Sequence, residues 1–264
     1  MSMLHSVDAL QGFSIVARDG ELGHIKDVYF DDQNWTIRHL VVDTGGWLTG
    51  RKVLLSPISV KGADWINQKL SVDLTKMQVQ NSPGIDTAKP VTRQHEEELY
   101  NHYGYPYYWS GPYLWGYTLL PGMIEPGISG QKPMEDPERQ QTRVEMENDG
   151  ARSNPHLRSS DEVIGYDIQA TDDTIGHVED LLFDDESWQI RLMVVDTRNW
   201  WPGRKVLMSP NRIERVSWGG KSVIVNVTRD QIEDSPEYDP EHPPTQATAQ
   251  ELYRHSTSSG AAPR

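Results

Sequence analysis

The chain has 264 residues, 36% of them apolar, with a mean hydropathy of −0.65 and a formal net charge of −14. That length suits two small domains joined by exposed linker. The acidity disfavours phosphate backbones and anionic membrane surfaces, and the lack of cysteine excludes a disulfide framework, a thiolate zinc site and a thiol nucleophile. The opening MSMLHSVDALQGF has no basic stretch followed by an apolar one, and no run of about 18 apolar residues occurs. A cytoplasmic location with no direct membrane insertion is the expectation.

In chain order, GFSIVAR reads as a first alternating strand, and DGELG turns the chain into HIKDVYF. DDQNW is the next turn, followed by the β-branched run WTIRHLVVDT. RKVLLSP, a strand near Ile58, and KLSVDLT complete six short strands at roughly ten-residue spacing. Ile25 and Val28 are three apart and cannot share a face of a regular strand, which predicts a β-bulge near Lys26–Asp27. In TIRHLVVD, Ile37 and Val41 point one way and Leu40 and Val42 the other, so this strand needs cover on both faces. The other barrel, a terminal helix or a second subunit could supply it. TKMQVQNSP begins at a capping Thr and stops before Pro, as a short helix does.

The same order then returns. GHIKDVYFDDQNWTIRHLVVDT at 23–44 reappears as GHVEDLLFDDESWQIRLMVVDT at 176–197, an offset of 153 residues. Between residues 12–57 and 165–210, 25 of 46 positions are identical, so one domain has been duplicated. The break between Val178 and Leu181 repeats the bulge, and TRDQIEDSP repeats the short helix. Glu98, Leu99, Tyr100 and His102 recur as Glu251, Leu252, Tyr253 and His255, a short helix that packs Leu and Tyr on its barrel. Between the repeats lie an aromatic stretch, YGYPYYWSGPYLWGY, and a polar, Pro-rich one. The expected divisions are a first barrel at 8–82, a linker with a short helix at 83–157, a second barrel at 158–238, and a short helix and tail at 239–264. The fold class is all-β, with two small antiparallel barrels in tandem. Residues 12–80 hold 8 acids and 8 bases, whereas 161–238 hold 16 acids and 8 bases. The two repeats therefore differ in what they would attract.

The pattern G-H-hydrophobic-x-D, then F-D-D, W-x-I-R-x-x-V-V-D-T and G-R-K-V-L-x-S-P, resembles the PRC-barrel domain, and both repeats carry it. The tandem form, with its ELYxHYGxPYYW tail, is similar to bacterial PRC-barrel proteins of unassigned role. Relatives of known role are the cytoplasmic barrel of the photosynthetic reaction-centre H subunit and the C-terminal domain of a ribosome-maturation factor. In both the barrel is a docking surface, so the resemblance implies docking here and no catalysis. The sequence departs from both, having no apolar span before the barrel and no companion domain.

Candidate sites follow from paired positions. Trp47 matches Trp200, and the second repeat adds Trp201; large apolar groups in a Gly- and Pro-containing loop suggest a partner-contact patch, the alternative being a lid over the end of the barrel. Trp115 in the aromatic linker is a further partner-binding candidate, the alternative being that the linker wraps a barrel. Arg51, Lys52, Arg204 and Lys205 form a basic strand edge that could hold an anion. Arg38 with Asp43, and Arg191 with Asp196, read as structural ion pairs that close each barrel. His24 and His177 begin strands and show no second His or carboxylate at ligand spacing on a shared strand face, so they read as structural rather than as a metal or acid–base site. Asp31–Asp32 and Asp184–Asp185 suit turns better than cations. No metal, cofactor or catalytic residue is expected, and GxSxG, HExxH, GxxxxGK[ST] and GxGxxG motifs do not occur. The leading expectation is a non-enzymatic adaptor or scaffold that docks a protein partner and could self-associate. The alternatives are a small-anion or metal-sensing module and a peripheral component of a membrane complex, reached through a membrane protein. Nucleic acid is not an expected partner.

Overall fold

The computed structural model describes residues 3–87, 91–125, 157–197 and 204–258. The chain forms two compact units, each built around one seven-stranded sheet. The first-repeat unit comprises residues 10–158 with 186–188, and the second-repeat unit comprises 1–9, 159–185 and 189–264.

The elements follow the repeat. Strand β1 (Leu4–Ser6) and the single turn α1 (Val7–Leu10) precede β2 (Ser14–Ala17), β3 (Gly20–Asp31), β4 (Thr36–Asp43), β5 (Lys52–Leu55), β6 (Val60–Asp64) and β7 (Lys69–Val72). Helices α2 (Lys76–Gln80) and α3 (Arg93–Tyr103) come next. The second repeat gives β8 (Leu157–Ser159), α4 (Ser160–Val163), β9 (Asp167–Gln169), β10 (Thr174–Asp184), β11 (Ile190–Asp196), β12 (Lys205–Met208), β13 (Ile213–Ser217), β14 (Ser222–Val225), α5 (Arg229–Glu233) and α6 (Gln246–Ser258). Thr75 and Thr228 each make a full capping box with the Gln three residues on, which starts α2 and α5 where the sequence places them.

In the first-repeat unit the strand order is β5-β4-β3-β2-β7-β6, and in the other it is β12-β11-β10-β9-β14-β13. The fully antiparallel expectation needs correction, because β2 runs parallel to β7 and β9 parallel to β14. The cause is the corner after β5. Ser56 accepts the Ile58 N–H, and the 3-10 turn Pro57–Ser59 bends the chain into β6 without the reversal a hairpin gives. Every later strand is then flipped relative to strict alternation. Pro210–Arg212 does the same in the second repeat.

The seventh strand of each sheet comes from the other repeat. Strand β1 pairs antiparallel with β10, His5 opposite Phe183, and β8 pairs with β3. The motif aspartate of GHVED receives the incoming strand: Asp180 accepts the Ser6 hydroxyl at 2.5 Å and the Asp8 N–H at 3.2 Å. The predicted bulges are present. Register slips between Ile25 and Asp27 and between Val178 and Asp180 leave Lys26 and Glu179 as the extra residues.

Both faces of β4 are buried, as its apolar pattern requires. Ile25, Val28, Phe30, Leu40, Val53 and Leu70 are among the fully buried residues of this unit. Leu99 and Tyr100 of α3 are buried, and Tyr100 meets His39 of β4 edge-on at 6.0 Å between ring centroids. In the second-repeat unit, Ala249 and Leu252 of α6 pack with Tyr238 on Leu182, Leu192, Val194 and Leu207. A helix beyond each set of strands therefore covers the apolar side of its sheet. No helix among the described residues is long and apolar enough to cross a membrane.

Candidate functional site

The tryptophans named from sequence occupy different settings. Trp47 is half-buried; its indole N–H donates to the Leu22 carbonyl at 2.5 Å, and the Lys76 ammonium lies 5.3 Å from the ring centroid. It closes the end of its sheet rather than standing free. Trp115 is fully buried and donates to the Ser187 carbonyl at 2.8 Å, so it anchors the linker and offers no contact surface. The expectation failed because the Gly and Pro around Trp115 fold back on themselves. Trp200 and Trp201 lie outside the described residues.

The basic edge is committed to main-chain carbonyls. Arg51 donates to the carbonyls of Gln80, at 3.0 Å, and Ser82, at the C-terminal end of α2. Arg204 reaches the Ser235 carbonyl at 3.4 Å, the same place in the second repeat. Cations at a helix C-terminus satisfy carbonyls that have no intrahelical partner. Lys52 contacts the Thr87 hydroxyl at 3.2 Å, and Lys205 pairs with Glu179.

The structural ion pair is real in kind but has another partner. Arg38 donates to Asp31 at 3.2 Å and to the Leu114 carbonyl at 2.6 Å. Asp43 instead accepts the Gly45 N–H at 2.9 Å. Arg38 and Asp43 are five apart on one strand, so they face opposite ways, whereas Asp31 lies across the hairpin. Arg38 is also the unpaired residue where the register slips from Tyr29–His39 to Phe30–Ile37. That slip sets its guanidinium 4.0 Å from the Tyr108 ring centroid and 4.9 Å from that of Trp115. Burial opposes ionisation of Asp31, but the Arg38 charge, the Asn34 amide and the Gln33 N–H outweigh it and hold the carboxyl below its usual value. In the second repeat Asp196 lies 4.0 Å from His177, and Arg191 is half-buried without that pairing. The aspartate turns serve the main chain: Asp31 accepts from Gln33 N at 2.9 Å, and Asp185 accepts from Met3 N at 2.9 Å.

Behind Arg38 lies a buried polar and aromatic cluster. Glu96 of α3 is fully buried and bonds Arg93 at 3.0 Å and the Tyr108 hydroxyl at 3.0 Å. His39 lies 4.0 Å from Glu96 and is held neutral, its pKa lowered to about 3 by burial and by the charges of Arg38, His95 and Arg93. Tyr107 stacks on Trp109 at 4.7 Å, and the Arg93 guanidinium lies 3.9 Å from the Trp109 ring centroid. The aromatic linker wraps its sheet here. Farther along it turns outward: Tyr113, Tyr117, Leu119 and Met123 are each more than half exposed. The Tyr113 N–H donates to Gly116 O at 2.9 Å and the Trp115 N–H to Thr118 O at 3.0 Å, fixing the backbone between them. A Cβ on Gly111 would stand 2.2 Å from the Gly116 oxygen, so only glycine permits this fold of the segment.

One group in the second repeat was missed by the sequence reading. His177, Glu179 and Asp196 bring one ligand atom each within 4.8 Å of one another. His177 and Asp196 are cross-strand partners, and Glu179 is the bulge residue two positions after His177. The expectation that no carboxylate stands at ligand spacing beside His177 is therefore corrected. The signal was present in the H-x-E spacing, together with the predicted bulge.

A family profile for the PRC-barrel domain matches residues 4–79 and 155–232. This chain belongs to the PRC-barrel family. The matched segments cover more than half of the chain, and each PRC-barrel match includes the strand that pairs into the other repeat's sheet, β1 in one and β8 in the other. No curated protein matches the chain. The PRC-barrel motif residues are now explained locally. Gly23 and Gly176, at φ +142° and +144°, pass so close to the next strand that a Cβ would lie 2.0 and 1.9 Å from the carbonyl oxygens of Asp43 and Asp196. The aspartate of the motif caps the exchanged strand, and the arginine of G-R-K-V-L holds the end of the short helix.

Proposed function

We propose that this tandem PRC-barrel protein is a non-enzymatic adaptor that docks a protein partner on the outward-turned part of its aromatic linker. The observation that carries the reading is the ridge of Tyr113, Tyr117, Leu119 and Met123, exposed side chains on a backbone pinned by buried Trp115. A prefixed apolar ridge loses little freedom on binding, and aromatic side chains dominate contact energies. The buried ionisable groups support a non-catalytic reading, since Arg38, Asp31, Arg93 and Glu96 are engaged with one another or with the linker. We infer further that each sheet closes as a barrel, the Pro57–Ser59 and Pro210–Arg212 corners carrying the chain between its end strands. The cysteine-free composition suits a reducing cytoplasm.

The test is affinity capture from soluble and membrane fractions with wild type and with Tyr113→Ser/Tyr117→Ser/Leu119→Ser. The proposal expects a saturable partner that the triple variant loses while its melting temperature is unchanged. A partner retained by the folded triple variant refutes the ridge. Recovery from the membrane fraction alone would make the adaptor a peripheral part of a membrane complex.

A further inference from the structure

The His177 group differs from its counterpart in the first repeat at the bulge, where Glu179 stands in place of Lys26. Gly176 lets the start of β10 cross tightly over Asp196, which sets His177 directly opposite that carboxylate. Glu179 is the residue left over by the bulge, and bulges re-aim side chains at functional positions. His177 Nε2 lies 3.6 Å from Glu179 Oε2 and 4.0 Å from Asp196 Oδ2. Donors on a tetrahedral ion with bonds of about 2.0 Å stand about 3.3 Å apart, so the three groups, whose ligand atoms lie within 4.8 Å of one another, must draw together around the ion. Asp196 is 4% exposed at its side chain, whereas His177 and Glu179 are 29% and 30% exposed. The group thus has a fixed inner carboxylate and an open outer side. One imidazole nitrogen with two carboxylate oxygens suits zinc-class ions better than magnesium or calcium, which take oxygen ligands.

The site already attracts a cation. Lys205, the cross-strand partner of Asp196, places its ammonium on Glu179 Oε1, leaving Oε2 toward His177. In the first repeat the bulge residue is Lys26, and Lys52 turns to the Thr87 hydroxyl instead. The first repeat therefore has the histidine and the aspartate but a lysine at the bulge; its Glu21 lies 3.7 Å from His24, yet both are more than half exposed and no three-donor group forms there among the described residues. It also shows that the lysine position can be satisfied away from the bulge.

We propose that the second repeat carries a divalent transition-metal site formed by His177, Glu179 and Asp196, with a fourth position open to water. The first repeat lacks the site because Lys26 replaces the glutamate. This proposal stands apart from the adaptor reading, since it uses none of the ridge residues.

The experiment uses the full-length chain, freed of any affinity tag and stripped with EDTA. It is titrated calorimetrically with zinc chloride, and with cobalt chloride followed by visible absorption. The expected result is one equivalent bound, with low-coordinate cobalt bands. Glu179→Lys, which copies the first repeat, and His177→Ala each weaken binding by about tenfold or more. His24→Ala leaves it unchanged, and Lys205→Met, which removes the competing cation, tightens it. Glu179→Lys must melt like wild type in EDTA, as the first repeat's Lys26 leads one to expect. No uptake by wild type, or equal uptake by wild type and folded Glu179→Lys, overturns the site. Unchanged or weaker binding in Lys205→Met overturns Glu179 as the competed ligand.

Discussion

Tyr100 and Tyr253 occupy the same place in the repeat, yet Tyr100 is 0% exposed and Tyr253 is 52% exposed. Their helices carry the same Glu-Leu-Tyr signature, and Leu99 and Leu252 both turn toward a sheet. The difference lies in the chain just beyond each helix. Residues 105–115 return over α3, so that Tyr105, Tyr108 and Trp109 surround Tyr100. Residues 254–264 contain no Phe, Tyr or Trp. The same contrast reaches the strands: Arg38 is enclosed by Tyr108 and Trp115, while Arg191 is half-buried. Duplication copied the sheet, and the flanking sequence decided which surface of each copy was covered.

The largest expected effect is at Arg38. Arg38→Met leaves Asp31 buried beside no cation and should cost about 3–5 kcal/mol by chemical denaturation. Arg191→Met should stay within about 0.5–1 kcal/mol. Equal costs would break the contrast between the repeats.

The motif glycines sharpen it from the other side, because they are alike in both units. Gly23→Ala and Gly176→Ala should each cost about 2–3 kcal/mol, since the added methyl meets a main-chain oxygen that cannot move freely. Calorimetry on the two variants should show similar losses. A neutral result at either position would mean that the close crossing is not maintained in solution.

Acid should separate the units. The His39 pKa falls from 6.5 to about 3 in the fold, so between those values the unfolded chain takes a proton that the folded chain refuses. Stability from His39 is thus present above pH 6.5 and lost as pH falls toward 3. Asp31, held below 3.8, contributes stability that is lost only as pH falls through its lower folded value. Asp180 has the opposite sense: burial first, against its hydrogen bonds, raises its pKa above 3.8, so its contribution is lost as pH rises through the raised value. His39→Phe should flatten the stability profile of wild type between pH 6.5 and pH 4. An unchanged slope would remove His39 as its source.

The smallest effects are at the helix caps. Thr75→Ala and Thr228→Ala should each cost about 1 kcal/mol, because each removes one half of a complete capping box. A large difference between the two would show that α2 and α5 carry unequal loads.

Much of this fold was legible in the sequence for a physical reason. The bulges at Lys26 and Glu179 follow from apolar residues three apart, and the capped helices follow from Thr-x-x-Gln. Other features depend on partners that local patterns do not name. Leu4-His5-Ser6 and Leu157-Arg158-Ser159 are nearly the same strand, so neither sequence says which sheet will take it. Arg38 was assigned to Asp43 by nearness in the chain, whereas the hairpin brings Asp31 to it. The aromatic composition of the linker did not say whether Trp115 faces a partner or its own sheet, and the turns made by the neighbouring glycines bury it. The His177 group could have been found by combining the H-x-E spacing with the bulge already expected there.

The exchange of the first strands underlies the whole comparison, because it decides which residues belong to which unit. The cysteine-free chain permits a direct test by paired cysteines. Met3 O accepts the Asp185 N–H at 3.2 Å in this structure, and Asp32 is the matching residue of the first repeat. Under mild oxidation Met3→Cys/Asp185→Cys should form an intramolecular disulfide in nearly every molecule, and Met3→Cys/Asp32→Cys should not. Cross-linking of the second pair in place of the first would return each strand to its own repeat and contradict the account.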